Sequence, residues 1–368
     1  MLLNERWRFI DAGSMEAPVA FGRMPIVAGS VAQGGPPVLM TGMFGRSHFQ
    51  IGWFEDVDAV LDLDEARDAG VDVFRRPLWG GGTAFYDTGA SALLSFFVRD
   101  DAFSTLDDAL LRFRPLMEYA LASMGMGEAK FEGSSDIRWQ GRKLGTLITQ
   151  AILGTKVVGG FFNLRKPDLD LYRRVAHVPE EKFADKAIKD MVEYICTPLD
   201  VRGLDLPYEE FRDAVLGAAS GAFEFDAVPF TAAEDEQTGG FVGAVSADDW
   251  VRRVSSVRFR SDAPAGARVG FANLKAKKLI RAGVALDDSG RIDSAMLAGD
   301  MHVSPPDVMD KVAAALVGGS IANRDDLVAR VETGFVEASI VQPDAAAGIT
   351  ADECVETVLL AAKAATGR

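Results

Sequence analysis

Two arginines and three glycines form the segment whose residue types most clearly suggest chemistry. Arg75 and Arg76 are followed, after three residues, by Gly80, Gly81 and Gly82. Glycines leave backbone N–H groups open to a ligand, and arginines offer charge and forked donors to a phosphate or carboxylate. The segment lacks the lysine of a P-loop and the glycine spacing of a dinucleotide-binding motif. It predicts an anion-binding loop, with a tight turn flanked by solvated arginines as the alternative.

A second segment places a lysine beside a turn. Gln140 and Gly141 are typical of a hairpin turn, which would put Lys143 at the start of a strand. A lysine among glycines reaches a bound anion as a compact point charge. The alternative is a surface lysine on an edge strand.

The histidines and cysteines indicate no metal site. The chain contains three histidines, His48, His177 and His302, and two cysteines, Cys196 and Cys354. Their spacing matches no zinc-binding pattern, and two cysteines are too few for a disulfide framework, so a reducing, cytoplasmic setting is expected. His48 is the candidate acid or base, with a hydrogen-bonded structural histidine as the alternative. The acidic stretch from Glu55 to Asp64 is expected to be a solvated face.

Local patterns predict an α+β fold around these residues. A helix is expected over 62–70, capped by Asp62 and ended by Gly70, and another over 105–124, capped by Thr105 with Asp108. Apolar runs predict strands over 71–74 and 93–98, and a meander of strands over 128–163.

The distal part of the chain is expected to form a second unit. A helix over 209–222 closes the first region, and the polar, glycine-ended stretch 231–240 is typical of a linker. Strands are predicted over 279–286 and 292–297, and helices over 307–316, 325–337 and 351–365. We therefore expect a larger domain over 1–230, a linker over 231–248 and a small α+β domain over 249–368.

The composition and charge of the chain indicate which macromolecular partners it is not expected to bind. The 368 residues carry 39 basic and 54 acidic side chains, a formal net charge of −15, so a nucleic-acid phosphate backbone is an unfavourable partner. No run reaches the roughly 18 consecutive apolar residues of a membrane span. A soluble protein without nucleic-acid or membrane partners is expected.

Taken together, the two segments resemble the lipoate–protein ligase family, which also holds octanoyl transferases and biotin ligases. That family has a Trp-Arg strand, an Ile-Gly strand end and an Arg-Arg loop that ends in three glycines. It also has an Asn-Asp-Ile segment, a Gly-x-Lys segment and a His-Gly-Thr strand. The corresponding residues here are Trp7-Arg8, Ile51-Gly52, Arg75-Arg76 through Asp87, Ser135-Asp136-Ile137, Gly141-Arg142-Lys143 and Val158-Gly159-Gly160. Gly299-Asp300 and 315–318 resemble the accessory C-terminal domain of two-domain ligases.

The resemblance implies the mixed-sheet fold of biotin and lipoate ligases, and an enzyme that converts a carboxylic acid into an acyl-adenylate with ATP and Mg²⁺. The acyl group then passes to a lysine of an acceptor protein, such as a lipoyl domain. Lys143 would act as the electrostatic catalyst, with Tyr86 and His48 as further catalytic candidates. The residues implied in substrate or nucleotide binding are Arg75, Arg76, Trp79, Gly80, Gly81, Gly82, Thr83, Asp87, Ser135 and Asp136.

The sequence departs from the family pattern at several polar positions. The loop is one residue longer and lacks the family's serine, Tyr86 stands where a histidine is usual, and Ser135 replaces an asparagine. Trp79 and Phe85 join Tyr86 in offering aromatic surface for a nucleotide ring or an aromatic substrate. These changes favour an alternative: the same fold used for a cofactor-free lyase or acid–base reaction on a small aromatic or carboxylated substrate, without adenylation. A binding homologue without turnover is the third class.

Overall fold

The computed structural model of the chain describes residues 6–77, 81–133, 135–177, 194–301, 303, 305–338 and 349–367. The strands are β1 (Arg6–Met15), β2 (Val38–Phe44), β3 (His48–Ile51), β4 (Asp72–Arg75), β5 (Ala84–Tyr86), β6 (Ser91–Arg99), β7 (Lys130–Glu132), β8 (Asp136–Trp139), β9 (Arg142–Ile152), β10 (Thr155–Asn163), β11 (Glu224–Ala227), β12 (Arg268–Lys275), β13 (Leu279–Leu286) and β14 (Ile292–Gly299). The helices are α1 (Ala17–Ala32), α2 (Val57–Val60), α3 (Leu63–Asp68), α4 (Leu106–Ser123), α5 (Leu169–Val175), α6 (Pro198–Arg202), α7 (Tyr208–Ser220), α8 (Ala232–Val245), α9 (Asp248–Val251), α10 (Ser256–Asp262), α11 (Val308–Leu316), α12 (Arg324–Glu337) and α13 (Ala351–Thr366), with a 3₁₀ turn at Asp100–Ala102. This mixed structure confirms the α+β class.

The chain divides into two compact units, each drawn from separate parts of the sequence. Unit 1 comprises Met1–His48, Phe85–Asp170 and Ile188–Ser246, and unit 2 comprises Phe49–Ala84, Leu171–Ala187 and Ala247–Arg368. The predicted division at 231–248 had placed all of the first 230 residues in one domain. In the structure, the segment that carries the arginine–glycine loop belongs to the same unit as the C-terminal residues.

Unit 1 is built on an eight-stranded sheet in the order β11-β1-β2-β6-β10-β9-β8-β7. β1 runs parallel to β11 and β2, and the other neighbours are antiparallel. One face of this sheet packs on α4 and α7 through a core that includes Trp7, Phe96, Phe113 and Phe211. α1 packs on the other face, where the Thr155 hydroxyl donates to the backbone of that helix. The predicted meander and both predicted helices of this unit are present.

The predicted linker is instead a helix, α8. Thr231 caps it with Glu234 as a capping box, and the Glu234 carboxylate receives 2.7 and 2.9 Å hydrogen bonds from the buried Arg8 guanidinium. A Cβ on Gly22 of α1 would lie 3.3 Å from Thr238 of α8, so the two helices pack closely because a glycine stands there. The polar composition of 231–240 therefore reflects a capped surface helix that is tied to β1 and α1.

Unit 2 contains a three-stranded antiparallel sheet, β12-β13-β14, covered by α11, α12 and α13. α13 lies close on β12, since a Cβ on Gly270 would come within 2.3 Å of the backbone at Ala361 and Ala365. Phe54, from the segment that precedes the arginine–glycine loop, is part of this core. β4, β3 and β5 form a further short sheet.

Candidate active site

Lys143 stands at the start of β9, directly after the predicted hairpin turn. Gln140 and Gly141 have φ angles of 50° and 75°, the left-handed values of a tight two-residue hairpin turn. The Lys143 carbonyl accepts a 2.8 Å hydrogen bond from the Cys196 N–H and a 3.3 Å one from the Asn163 amide. Two donors therefore fix the Lys143 carbonyl, while a third of its side chain stays exposed.

Asp136 joins Lys143 in a charged cluster on β8 and β9. The Lys143 ammonium lies 2.8 Å from one Asp136 oxygen, and the Arg138 guanidinium donates to the other oxygen, also at 2.8 Å. Burial alone would raise the pKa of Asp136, but the charge of Lys143 and the hydrogen bonds from both cations lower it below its ordinary value. Asp136 is therefore ionised at neutral pH. Arg138 also donates to the Tyr194 hydroxyl at 2.9 Å, and burial followed by the Asp136 charge raises the pKa of that hydroxyl.

Ser135 contributes its backbone to this cluster. Its carbonyl accepts from the Leu147 N–H at 2.9 Å and from the Thr146 hydroxyl at 3.1 Å. These bonds fix the residue that precedes Asp136 against β9, so the carboxylate has a defined position.

A row of residues crosses the sheet from Asp136. Asp136 pairs with Thr146, Thr146 with Phe161, and Phe161 with Leu93. Side chains directly opposite in antiparallel strands point to the same face. Their neighbours along the strands, Leu147, Phe162 and Leu94, belong to the core on the opposite face. We call the face that carries Asp136, Thr146 and Phe161 the site face.

Aromatic rings gather at the Phe161 end of this row. The Tyr86 ring centroid lies 4.6 Å from that of Phe161 and 5.6 Å from that of His48, and Phe44 contacts all three rings. The structure thus brings together two predicted candidates, Tyr86 and His48, beside the site face. Phe44 and Phe161 complete the group.

His48 is buried and uncharged at neutral pH. Its Nδ1 lies 2.9 Å from the Arg46 carbonyl, which can only accept, so Nδ1 carries the proton. Burial lowers the pKa of His48 to about 4, and the hydrogen bond to Arg46 opposes this shift only in part.

Asp87 organises the turn after β5. It accepts from the Ser47 hydroxyl at 2.6 Å, from the Thr88 N–H at 2.8 Å and from the Asp168 N–H at 3.3 Å, and Arg165 lies 3.9 Å away. Asp87, a predicted binding residue, thus joins its own turn to the segments that carry Ser47 and Asp168 in unit 1.

Arg75 differs from the expectation of a ligand-binding arginine. It is fully buried, and its guanidinium donates to the carbonyls of Gly52, Glu55 and Val251, among others, at 2.7 to 3.0 Å. Burial lowers its pKa to about 10, a value at which the guanidinium is still protonated at neutral pH. Arg75 therefore holds its own surroundings together within unit 2.

Several hydrogen bonds hold the described residues in the rest of the loop. Arg76 is buried and donates to the Gly82 carbonyl at 2.9 Å, and the Gly81 N–H donates to the Met301 carbonyl at 3.2 Å. One Glu55 oxygen accepts from the Thr83 hydroxyl at 2.7 Å and from the Gly52 N–H at 2.9 Å. Trp79 and Gly80 lie outside the described residues.

Comparison with known proteins shows the family to which the chain belongs. A sequence model of the lipoyl protein ligase A/B catalytic domain matches residues 26–220, just over half of the chain. The chain belongs to this family. The lipoate-protein ligase A subunit 1 of Thermoplasma acidophilum is 26% identical over 227 residues, which cover 57% of this chain and 80% of that protein. The family-model match over residues 26–220 includes the meander and Lys143.

Solved structures show the same fold. The bipartite lipoate protein ligase of T. acidophilum superposes with a TM-score of 0.59 at 20% identity, covering 68% of this chain and 98% of that one. A lipoate-protein ligase A bound with ATP gives 0.56 at 18% identity, with 68% and 99% covered. P. falciparum LipL1 in complex with lipoate gives 0.67 at 11% identity, with 96% and 99% covered. The last similarity extends over nearly the whole chain.

Two residues that contact predicted site residues, Glu55 and Arg138, were not predicted from the sequence. Glu55 had been assigned to a solvated face, yet it and Asp56 are buried; Asp56 receives the Arg281 guanidinium at 2.8 Å. Arg138 carried no motif. The one available signal for Glu55 was its position, three residues after the Ile51-Gly52 strand end.

The residues around Lys143 do not fit the divalent cation that the family resemblance implies. Mg²⁺ takes near-octahedral oxygen ligands at about 2.0–2.1 Å. The carboxylate beside Lys143 already has a cation on each oxygen. No group of three or more His, Cys, Asp or Glu residues that could hold a metal occurs within the described part of the chain.

Of the other two histidines, His177 is an exposed residue after α5, and His302 lies outside the described residues. No described helix is both long and apolar enough to cross a membrane.

Proposed function

We propose that this chain is a lipoate ligase-type enzyme that activates a carboxylic acid as its acyl-adenylate and transfers the acyl group to a lysine of an acceptor protein. The observation that carries the proposal is the placement of Lys143. Its backbone is fixed by Cys196 and Asn163, and its ammonium ends at the site face with a third of the side chain exposed.

The proposed chemistry has two balanced steps. A carboxylate oxygen of the acid attacks the α-phosphorus of ATP, and the bond to the bridging oxygen breaks, so pyrophosphate leaves with the electron pair. The neutral amine of the acceptor lysine then attacks the carbonyl carbon, AMP leaves with the bonding pair, and the nitrogen loses a proton. Negative charge develops on the phosphate and carbonyl oxygens in these steps, and a fixed cation at Lys143 stabilises it.

Groups within each unit suggest how the substrates are held. The aromatic cluster of Phe44, Tyr86 and Phe161 offers an apolar wall for the acyl chain, at the Phe161 end of the row that begins at Asp136. In unit 2, the loop with Gly81 and Gly82 is the proposed nucleotide-binding segment. Because His48 is neutral at pH 7, it supplies shape and a fixed dipole to this wall rather than charge.

The acceptor is proposed to be a lipoyl domain. The T. acidophilum structure describes a bipartite lipoate protein ligase and its E2 lipoyl domain. The substrate acid is proposed to be lipoate or a similar apolar acid, because the P. falciparum relative is in complex with lipoate.

Exchange of pyrophosphate into ATP tests the proposal. We expect exchange that depends on one acid among lipoate, octanoate, biotin and several aromatic acids, and a loss of at least a hundredfold in Lys143→Ala, as is typical when a transition-state charge partner is removed. Lys130→Ala is the matched control, since Lys130 is an exposed lysine on β7 of the same sheet. Retained exchange in Lys143→Ala would remove Lys143 from the mechanism.

Absence of exchange with every acid would favour the second candidate, a cofactor-free reaction on the same fold. The observation that favours it is the polar pattern of the loop, where the family's serine is missing and Tyr86 replaces a histidine. Calorimetry with ATP separates the two, because only the ligase must bind the nucleotide.

A further inference from the structure

Lys143 and Arg138 contact different oxygens of the Asp136 carboxylate. The Lys143 ammonium is 2.8 Å from Oδ1, and the Arg138 Nη2 is 2.8 Å from Oδ2. Charge-assisted hydrogen bonds of this length are strong. Each oxygen of this carboxylate therefore faces a positive charge on a side chain of the same unit.

The guanidinium of Arg138 is held in place from several sides. Its Nη1 donates to the Gly141 carbonyl at 3.1 Å and its Nη2 to the Tyr194 hydroxyl at 2.9 Å. The guanidinium carbon lies 5.2 Å from the Tyr194 ring centroid, and the Glu132 carboxylate lies 3.8 Å from Nε. The side chain is 24% exposed, so it is ordered by these contacts and still borders solvent.

A divalent cation at Asp136 would meet two obstacles. It would have to share the oxygens that already accept from Lys143 and Arg138. It would also lie beside both positive charges, which repel it. Glu132 is the other described carboxylate in this cluster, and it faces Arg138. The cluster thus gives each oxygen of the carboxylate a charged donor without a metal.

We infer that Arg138 occupies the place of a divalent cation at Asp136, so that nucleoside triphosphate binds to this enzyme without a metal ion at this carboxylate. The inference rests on the proposed function, because it assumes that ATP is the nucleotide. Arg138 acts here as a positioning residue: it keeps Asp136 ionised and leaves Oδ1 turned to Lys143, while Lys143 faces the substrate.

Titration calorimetry of the full chain with ATP, in EDTA and in millimolar Mg²⁺, tests this inference. We expect the wild type to bind ATP with Kd values that agree within about threefold in the two buffers. In Arg138→Leu, the affinity in EDTA should fall at least tenfold and Mg²⁺ should restore most of it, because Oδ2 of Asp136 then keeps only the 3.5 Å hydrogen bond from the Tyr194 hydroxyl and can also bind the ion.

Two further variants separate charge from position. Arg138→Lys keeps a cation near Asp136 and should retain much of the metal-independent binding. Lys130→Leu removes a charge directly opposite Arg138 in the β7–β8 register and should behave as wild type in both buffers. If Arg138→Leu does not fold, the wild-type comparison and Arg138→Lys still decide the question.

The outcomes separate this inference from the proposed function. Wild-type binding that requires Mg²⁺ would overturn the inference and leave the ligase proposal in place. Metal-independent binding that persists unchanged in Arg138→Leu would also overturn it. Absence of ATP binding in both buffers would overturn both proposals.

Discussion

The hydroxyl of Thr83, at the end of the glycine loop, donates a 2.7 Å hydrogen bond to the carboxylate of Glu55, and the same oxygen accepts from the Gly52 N–H. Glu55 is almost completely buried. One acidic side chain therefore joins the loop to the strand end that precedes it, within unit 2.

We expect Glu55→Ala to weaken ATP binding by displacing the glycine loop. Both donors would lose their partner, at a cost of about 1–3 kcal/mol for a buried unsatisfied group. The KM for ATP in the exchange assay should rise about tenfold, equivalent to about 1.4 kcal/mol, with a smaller change in kcat. Thr83→Val removes one of the two bonds and should have a smaller effect. Unchanged KM in both variants would show that the loop does not depend on Glu55.

Gly52→Ala should disrupt the same loop by direct overlap. A Cβ at this position would lie 1.8 Å from the Gly81 carbonyl oxygen, a distance that requires the backbone to move. We expect loss of ATP binding in calorimetry together with a lower Tm. Gly217→Ala is the control: it lies in α7 with nothing near its Cβ and should stabilise the chain by up to about 1 kcal/mol. A Gly52→Ala protein with wild-type ATP affinity would contradict the placement of the loop.

His48 should make stability depend on pH below neutrality. Its pKa falls from 6.5 to about 4 on folding, so between these values the unfolded chain binds the proton and the folded chain does not. Stability therefore rises with pH through this window and is lost as the pH falls from about 6.5 towards 4. A shift of this size is worth of order 3 kcal/mol. Denaturant unfolding at several pH values should show a smaller slope in His48→Gln, and an identical slope would exclude His48 as its source.

Local sequence signals predicted much of the structure around Lys143. The hairpin turn at Gln140 and Gly141 followed from its two residues alone, because few others accept left-handed φ values. The capping box of Thr105 with Asp108 likewise marked the start of α4. These features depend on residues close together in the chain, so a single sequence reveals them.

Other features depend on distant residues and were missed. α1 contains Pro25 and two glycines, which are unfavourable for an isolated helix; it is stabilised by packing on the sheet and on α8. The sequence around Glu55 is typical of an exposed acidic residue, because its hydrogen bonds to Gly52 and Thr83 form only in the folded chain. Arg75 was predicted to bind a ligand, and its hydrogen bond to the carbonyl of Val251 could not be predicted because that residue lies 176 positions away.

Glu234→Ala should destabilise unit 1 far more than a change in a linker would. The Arg8–Glu234 pair is about 90% buried on both sides, and removing one partner leaves the other charge buried. Such a loss typically costs about 3–5 kcal/mol, to which the lost capping box of α8 adds. Urea unfolding measures the change, with Glu236→Ala, an exposed acid of the same helix, expected within about 0.5 kcal/mol of wild type. Equal stabilities of the two variants would mean that 231–245 behaves as the linker its composition suggests.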